Sequence, residues 1–275
     1  MHTIIVPTDF SDTSKNAARF AVQVAAQVPD AQILLYNVFD KVLAGSDGSP
    51  LADEPDARKK IVLTALEHMK AELPGAASTT INCIAEEDGS FLDSLERLAR
   101  YQKADLIIMG ITGATRLEQI FMGSNALNMI DRNVCPVMIV PPDAQFKGIK
   151  NVLFATDMQD IEKSVPVKPL QDVLRLFNPM VHVVNVDSEH YVEVTEEYKR
   201  ERAKLEDILK DFKRDFYFIR MFDFMEAINQ FASDKHIDVI ITVPHKNSFL
   251  SSLFKTSHTK KLAYHSSVPL VAIHE

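Results

Sequence analysis

The sequence has few of the features that would place this chain in a specialised class of protein. No apolar run approaches the length that crosses a bilayer and no N-terminal signal peptide is visible, which predicts a cytoplasmic protein without a membrane segment. Two cysteines, Cys83 and Cys135, make no disulfide framework, and we interpret both as small buried hydrophobes rather than reactive thiols. The formal net charge of −8 argues against a general nucleic-acid binder.

Sequence motifs for catalysis are absent as well. The chain shows no Ser/His/Asp order, no H-E-x-x-H, no C-x-x-C and no paired carboxylates. It also lacks the Walker pattern and the G-x-G-x-x-G spacing of dinucleotide-binding folds. These absences leave open whether the chain is an enzyme.

The chain does contain an internal repeat. Its 275 residues are enough for two globular domains of ordinary size. Three segments of the first half recur in the second: residues 3–9 at 151–157, residues 104–110 at 237–243, and residues 135–140 at 268–273. Between the copies, residues 141–148 begin with two prolines, which end a strand. We therefore predict one domain over residues 1–141 and another over residues 149–275.

Each half shows an alternation of strands and helices. Short Val/Ile/Leu runs without polar alternation predict parallel strands that are buried on both faces and joined by crossover helices. Four helices follow from apolar periodicity and capping residues: residues 12–28, a helix with Asp56 as its N-cap, a helix with Ser90 and Asp93 as a capping box, and residues 195–216. The repeat spacing falls from 148 residues to 133, and we predict that the missing 15 residues correspond to the loop 45–55.

A glycine pattern follows the fourth predicted strand. Gly110 and Gly113 come directly after the apolar residues 106–109, and Gly123 and Ser124 follow nine residues later. A strand that ends in glycines and leads into a helix leaves backbone N–H groups and a positive helix end where phosphates can bind. The alternative is that these glycines only shape turns.

The pattern G-x-x-G-x9-G-[ST] after a buried strand resembles the ATP-binding signature of universal stress proteins. Residues 3–14 resemble that family's first strand with its acidic end, residues 33–38 its second strand, and residues 134–140 its last. The resemblance covers nearly the whole chain. It implies an α/β fold of two tandem Rossmann-like domains of the adenine nucleotide alpha hydrolase type. Each domain would have a five-stranded parallel sheet of order 3-2-1-4-5, with helices on both faces and the ligand at the carboxyl ends of the strands.

The resemblance also implies an adenine nucleotide, ATP or else ADP or AMP, in the first domain, with Mg²⁺ accompanying the phosphates. The glycines and Ser124 would hold the phosphates, Asp9 would lie against the nucleoside, and the backbone of Val38 would meet adenine. Asp9 has an alternative interpretation as an N-cap or turn residue. The candidate binding residues are Pro7, Thr8, Asp9, Val38, Met109, Gly110, Thr112, Gly113, Gly123, Ser124 and Asn125.

The glycine pattern is broken in the second half. Val243, Pro244, Lys246 and Thr256 replace Gly110, Ile111, Gly113 and Gly123, and only the serine persists, as Ser257. Proline has no N–H to donate, and the other three carry β-carbons, so this site is predicted to be silent for ATP. The same region is rich in basic side chains, which form either a solvated loop or a cleft for another anionic ligand: His245, Lys246, His258, Lys260, Lys261 and His265.

Together these features favour a tandem universal stress protein that binds ATP in its first domain and acts as a sensor or binding module in the stress response. The resemblance implies that the two domains pack as an intramolecular pseudo-dimer through their last strands, and it leaves a homodimer open. The alternatives are a slow ATPase, a nucleotidyl-transfer enzyme and an interaction protein that no longer depends on nucleotide. The intact glycines argue against the last of these.

Overall fold

The computed structural model describes residues 1–40, 55–110, 124–187, 195–220, 224–244 and 268–274. The first half contains, in chain order, β1 (His2–Pro7), α1 (Asp12–Gln27), β2 (Ala31–Phe39), α2 (Pro55–Glu72), a short 3₁₀ turn (Ala76–Ser78), β3 (Thr80–Glu87), α3 (Phe91–Gln102), β4 (Leu106–Gly110), α4 (Ser124–Asp131) and β5 (Val137–Val140). The second half contains β6 (Asn151–Ala155), α5 (Ile161–Ser164), α6 (Val167–Phe177), β7 (Met180–Asp187), α7 (Glu196–Ile208), β8 (Arg214–Arg220), α8 (Phe224–Asp234), β9 (Val239–Thr242) and β10 (Leu270–Ala272).

The strands of both halves form one ten-stranded sheet. Its order is β3-β2-β1-β4-β5-β10-β9-β6-β7-β8, so each half has the predicted order 3-2-1-4-5. All pairs within a half are parallel, whereas β5 and β10 pair antiparallel, with Met138 opposite Val271. The predicted fold class is confirmed, and so is the packing of the halves through their last strands.

Apolar side chains cover both faces of the sheet. Alternate residues of each strand belong to two separate clusters, as Ile4 and Val6 pack on one face and Ile5 on the other. This two-sided burial explains the continuous Val/Ile/Leu runs, because a parallel sheet has no solvated face. Within the described ranges, no helix combines the length and the apolar character needed to cross a membrane.

Two of the predicted helices begin where the sequence predicts, and one of them begins at its predicted capping residue. Helix α1 covers nearly all of residues 12–28, with Ser11 as N-cap accepting a hydrogen bond from the Ser14 N–H at 3.3 Å. Helix α3 begins after Ser90, whose hydroxyl accepts from the Asp93 N–H at 3.3 Å and donates to its carboxylate at 2.7 Å. The capping box at Ser90 is therefore confirmed, whereas the N-cap of α1 is Ser11 and not Asp9, the alternative that the sequence offered.

The structure corrects two other helix predictions. Helix α2 already includes Pro55, so Asp56 lies in its first turn and is not the N-cap. The helix predicted over residues 195–216 ends at Ile208, because the Arg214 guanidinium binds carbonyl groups at the helix end and the aromatic residues after it form β8.

The second half is shorter than the first because both a loop and a helix are shorter there. The loop 45–55 that was predicted to hold it lies almost entirely outside the described residues. Between strand and helix, 15 residues separate β2 from α2 and eight separate β7 from α7. Helix α2 has 18 residues against 13 in α7, so a shorter helix accounts for a further part of the difference.

Helix α1 holds the segment between the halves. The Gln27 side chain accepts from the Ile149 N–H and donates to the Ile149 carbonyl, both at 2.9 Å. The Asn16 amide donates to the Pro141 carbonyl at 3.1 Å, and the Phe20 and Phe146 rings meet edge to face at 5.2 Å. The linker is therefore fixed along the first half, while the domain limits at residues 141 and 149 stay a prediction.

Both cysteines behave as the sequence predicts. Cys83 and Cys135 are free thiols and are partly buried. Burial raises the pKa of each thiol to about 12, with Glu67 adding to the effect at Cys83 and Asp105 at Cys135. A thiol that stays protonated near neutral pH is a poor nucleophile, which supports a packing role.

Candidate functional site

The candidate residues of the first half converge on one edge of the sheet. Strands β1, β2 and β4 are neighbours and run parallel, with Pro7 opposite Tyr36 and Ile5 opposite Ile107. Their carboxyl ends therefore lie side by side, and we call this place the first carboxyl edge. Pro7, Met109 and Gly110 end strands there, and Val38 lies one residue before the end of β2. It is the position where the strand order reverses, the usual ligand position in such sheets.

The chain makes a tight, fully hydrogen-bonded turn as it leaves β1. The Thr8 N–H donates to the Tyr36 carbonyl at 2.8 Å, and the buried Thr8 hydroxyl accepts from the Phe10 N–H at 3.0 Å. The Asn37 amide donates to the Thr8 carbonyl at 2.7 Å. Phe10 adopts a left-handed backbone with φ of 62°, which is costly for a non-glycine residue and is maintained by these bonds.

Asp9 combines a structural bond with an exposed carboxylate. Its Oδ1 accepts from the Ser11 N–H at 3.0 Å and from the Ser11 hydroxyl at 2.5 Å. Burial raises the pKa of Asp9, but the hydrogen bonds from Ser11 and Ser14 outweigh it and the net pKa is lowered. Asp9 is therefore ionised at neutral pH. Asp9 is thus a turn residue, as its alternative interpretation predicts, and its side chain is exposed at the first carboxyl edge.

Gly110 permits a close approach between β4 and helix α1. A β-carbon at this position would lie 2.9 Å from both the carbonyl carbon and the carbonyl oxygen of Thr13. Real Cβ atoms essentially never come so near to backbone, so any other residue would displace the first turn of α1. The glycine thus has a packing reason within the chain, in addition to the ligand reason suggested by the sequence.

The far side of the glycine pattern is described only in part. Ser124 and Asn125 are exposed residues in the first turn of α4, where helical N–H groups have no partner within the helix. Thr112, Gly113 and Gly123 lie outside the described residues. The first carboxyl edge thus brings together Pro7, Thr8, Asp9, Val38, Met109 and Gly110, and Ser124 and Asn125 begin the helix that follows the glycine loop.

The second half repeats the turn but not the glycine. Thr156 accepts from the Met158 N–H at 3.2 Å, the Asn185 amide donates to the Thr156 carbonyl at 3.1 Å, and Met158 has φ of 54°. Asp157 accepts from the Gln159 N–H at 3.1 Å, as Asp9 does from Ser11. These bonds belong to the fold, since they occur in both halves.

The position equivalent to Gly110 is occupied by a buried valine. Val243 is in the same apolar cluster as Ile161, the residue equivalent to Thr13. The long first helix is replaced here by two shorter helices, α5 and α6, which Pro166 separates. The Glu201 carboxylate from α7 accepts from the Ile161 N–H at 2.8 Å and occupies the start of α5. The predicted basic cluster from His245 to His265 lies outside the described residues.

Asn37 and Tyr36 are site residues that the sequence reasoning missed. Asn37 is a buried amide that fixes the end of β1, and Tyr36 is a fully buried phenol whose hydroxyl donates to Glu86 at 2.6 Å. The internal repeat held a signal for the first of them, because Asn185 stands at the equivalent place in an equally apolar strand.

No protein-built metal centre occurs in the described part of the chain. There, no group of three or more His, Cys, Asp or Glu side chains is placed to hold an ion. At the first carboxyl edge, the carboxylate of Asp9 follows β1 and that of Asp40 follows β2, and both are exposed. This donor set fits an ion that takes most of its ligands from phosphate and water, as Mg²⁺ does, better than one enclosed by protein side chains.

This chain is similar in sequence to proteins of one known family. The model of the Universal stress protein family matches residues 1–141. A universal stress protein of Methanocaldococcus jannaschii is 32% identical over 148 residues, which are 50% of this chain and 80% of that protein. One from Thermus aquaticus is 29% identical over 143 residues, which are 50% of this chain and 97% of that protein. These relatives each match about half of the chain.

A solved structure matches the chain along nearly its entire length. The crystal structure of a universal stress protein from Archaeoglobus fulgidus has a TM-score of 0.67 and covers 98% of this chain and 97% of its own. Its sequence identity is 14%, so the likeness concerns the fold. Two linked copies in one chain therefore have a structural precedent.

Proposed function

Because this chain belongs to the universal stress protein family, we propose that it binds ATP or a related adenine nucleotide at its first carboxyl edge. The proposal includes a cytoplasmic role as a nucleotide-responsive binding protein in the stress response. The nucleoside end of the ligand would lie against Asp9 and the main chain of Val38. The phosphates would bind the loop from Gly110 to Gly123 and the start of α4 at Ser124.

One observation carries this proposal: Gly110, the first glycine of the pattern, and the turn after β1 meet at the same edge of the sheet. Gly110 ends β4, the neighbour of β1, and the exposed carboxylate of Asp9 follows the turn. A phosphate needs close backbone approach and N–H donors, and a ribose needs a hydrogen-bond acceptor, so this edge offers complementary groups for both parts of a nucleotide.

Mg²⁺ would bind through the nucleotide rather than through a protein cage. Mg²⁺ keeps several waters and commonly uses one or two carboxylates with substrate phosphates. When bound, it would neutralise phosphate charge. Asp9 lies at this edge beside the proposed nucleotide position, and its lowered pKa keeps it ionised for that purpose.

We predict that ATP binds with a stoichiometry of one per chain. The second half lacks three of the four motif residues, and two or three lost phosphate bonds at about 1.5–3 kcal/mol each would reduce affinity by several orders of magnitude. Isothermal titration calorimetry of the full chain measures the number of sites. Two equivalent sites would contradict the assignment of the second half as silent.

The two equivalent aspartates provide a matched pair of variants. Asp157→Ala removes the turn hydrogen bond from the Gln159 N–H and should lower the free energy of unfolding by about 1 kcal/mol. Asp9→Ala removes the equivalent bond from the Ser11 N–H and also the bond from the Ser11 hydroxyl, so its loss of stability should be larger. Asp9→Ala should also weaken ATP binding about tenfold, while Asp157→Ala leaves it unchanged. Urea unfolding and calorimetry measure the two effects. Equal ATP affinities in both variants would mean that Asp9 serves only the turn.

The same protein can be tested for the ligand it carries and for turnover. Mass spectrometry of small molecules released from freshly purified protein identifies a bound adenine nucleotide directly. A single-turnover assay with labelled ATP then separates a binding protein from a slow ATPase. Release of an unrelated metabolite, together with no ATP binding in calorimetry, would overturn the proposed function.

A further inference from the structure

A network of polar side chains joins β2 to the start of α3. Tyr36 is fully buried, and its hydroxyl donates to Glu86 Oε2 at 2.6 Å. Arg97 forms an ion pair with Glu86 and also donates to Asp88 Oδ2 at 3.0 Å. Ser94 donates to the same oxygen of Asp88 at 2.7 Å. We call these five residues the tyrosine network.

The tyrosine network surrounds the end of β2. The carbonyl of Tyr36 accepts from the Thr8 N–H at the turn after β1. Val38, two residues further along, pairs directly with Glu86 in the ladder between β2 and β3. The Asp88 N–H donates to the carbonyl of the residue that follows Val38, at 3.1 Å. Residues of the tyrosine network therefore flank the stretch of main chain that contains Val38.

Among the described residues of the second half, this network has no counterpart. Its ladder places Ile219 opposite Val186, just as Glu86 lies opposite Val38. The equivalents of Tyr36, Glu86, Ser94 and Arg97 are Val184, Ile219, Ala227 and Gln230. The turn bonds of Thr8 and Asn37, in contrast, recur in both halves. The same fold thus forms with or without the tyrosine network, and the network accompanies the intact glycine pattern.

Stability does not account for the network. The Arg97 side chain is 55% exposed, and ion pairs with such partners contribute little to folding. A buried hydroxyl is costly unless it is hydrogen-bonded, and a valine at this position avoids that cost, as Val184 shows. Burial and the Glu86 carboxylate both raise the pKa of Tyr36, so its hydroxyl remains a donor near neutral pH.

We infer that the tyrosine network positions the end of β2 for the base of the bound nucleotide, which makes Tyr36 and Arg97 positioning residues. This inference rests on the proposed function and deepens it. The main chain at Val38 is where the base is proposed to bind. The hydrogen bond from Tyr36 to Glu86 and the ion pair from Glu86 to Arg97 hold that main chain at a fixed distance from β3 and α3. These side-chain contacts add to the main-chain hydrogen bonds between β2 and β3.

The test is a Tyr36→Phe variant of the full chain, which removes the hydroxyl and keeps the ring. Binding of ATP, adenosine and inorganic triphosphate is measured by calorimetry. We expect ATP and adenosine to bind about fivefold to tenfold more weakly, because the variant loses one hydrogen bond that orders the end of β2. The affinity for triphosphate should not change. Tyr217→Phe is the matched control, because it removes a tyrosine–carboxylate bond in the second half, to Asp215.

A second variant covers the case in which Tyr36→Phe fails to fold. Arg97→Gln changes a half-exposed side chain to the residue that the second half carries at this place, and it should weaken adenosine binding while leaving thermal unfolding unchanged. Unchanged adenosine affinity in a folded variant would overturn the inference, and so would an equal loss for triphosphate, which would indicate a general structural effect. Wild-type protein that binds neither ATP nor adenosine would overturn the proposed function and this inference together.

Discussion

Gly110→Val should reduce both ATP affinity and the stability of the first half. The new β-carbon would lie 2.9 Å from the Thr13 carbonyl group, so the first turn of α1 would have to move away from β4. Overpacking of this kind costs about 1–3 kcal/mol of unfolding free energy. Because the same shift disturbs the turn at Asp9 and blocks the approach of phosphate, we expect ATP affinity to fall at least a hundredfold.

Urea unfolding and calorimetry of this variant measure the two losses separately. Gly89→Val is the control for stability, because a β-carbon at Gly89 would meet no atom within 4 Å. Val was chosen for position 110 because the second half carries Val243 there. A Gly110→Val protein with wild-type stability and wild-type ATP affinity would contradict the close contact between β4 and α1.

Gly113→Glu should abolish ATP binding and leave folding intact. Position 113 is the second glycine of the pattern, and a carboxylate there would fill the loop and repel the phosphates. The sequence predicts a loop at this position, and loops tolerate such changes, so the unfolding free energy should stay within about 0.5 kcal/mol of the wild type. Lys246→Glu places the same new charge at the equivalent position of the second half and should leave ATP binding unchanged.

The two substitutions at positions 110 and 113 separate ligand contact from packing. A protein that loses ATP binding in both, but stability only in Gly110→Val, has its phosphate loop where the sequence predicts it. Undiminished ATP binding by Gly113→Glu would mean that the nucleotide does not use this loop, and the proposed site would then be wrong.

The strand order, which the family resemblance implied, was predicted better than the limits of the helices. The strands are recognisable because burial on both faces leaves unbroken apolar runs, and the internal repeat shows that both halves share one topology. The helix prediction for residues 195–216 ran too far because Phe212 and Phe216 continue the helical spacing. In the structure, Phe212 closes a turn and Phe216 belongs to β8, a choice set by the neighbouring strand and not by local periodicity.

The candidate site was predictable where it depends on backbone chemistry and not where it depends on tertiary contacts. Glycine spacing and the acidic strand end are local signals, and they identified Gly110 and Asp9. Thr13 and Gly110 are far apart in sequence, so neither segment alone could predict the close contact between them. Tyr36 stands in an apolar run, and its partner Glu86 lies 50 residues away, so the run gave no sign of a buried hydrogen bond.

The duplicated turn shows why an internal repeat is useful for assigning roles. Thr8 and Thr156, Asn37 and Asn185, and Asp9 and Asp157 make equivalent bonds in the two halves, which indicates that the fold requires them. Features found in the first half alone, the glycine pattern and the tyrosine network, are those that the fold can do without. Their shared restriction to one half is what the proposed nucleotide site of that half would explain.

The antiparallel junction of β5 and β10 fixes the geometry of any complex that this protein makes. All strands of the first half run parallel to β5 and all strands of the second half run parallel to β10, so their carboxyl edges point in opposite directions. A nucleotide at one edge and a second molecule at the other would be separated by the width of the sheet and could not touch. A substitution at one edge therefore cannot obstruct a ligand at the other, and the two edges can be altered independently.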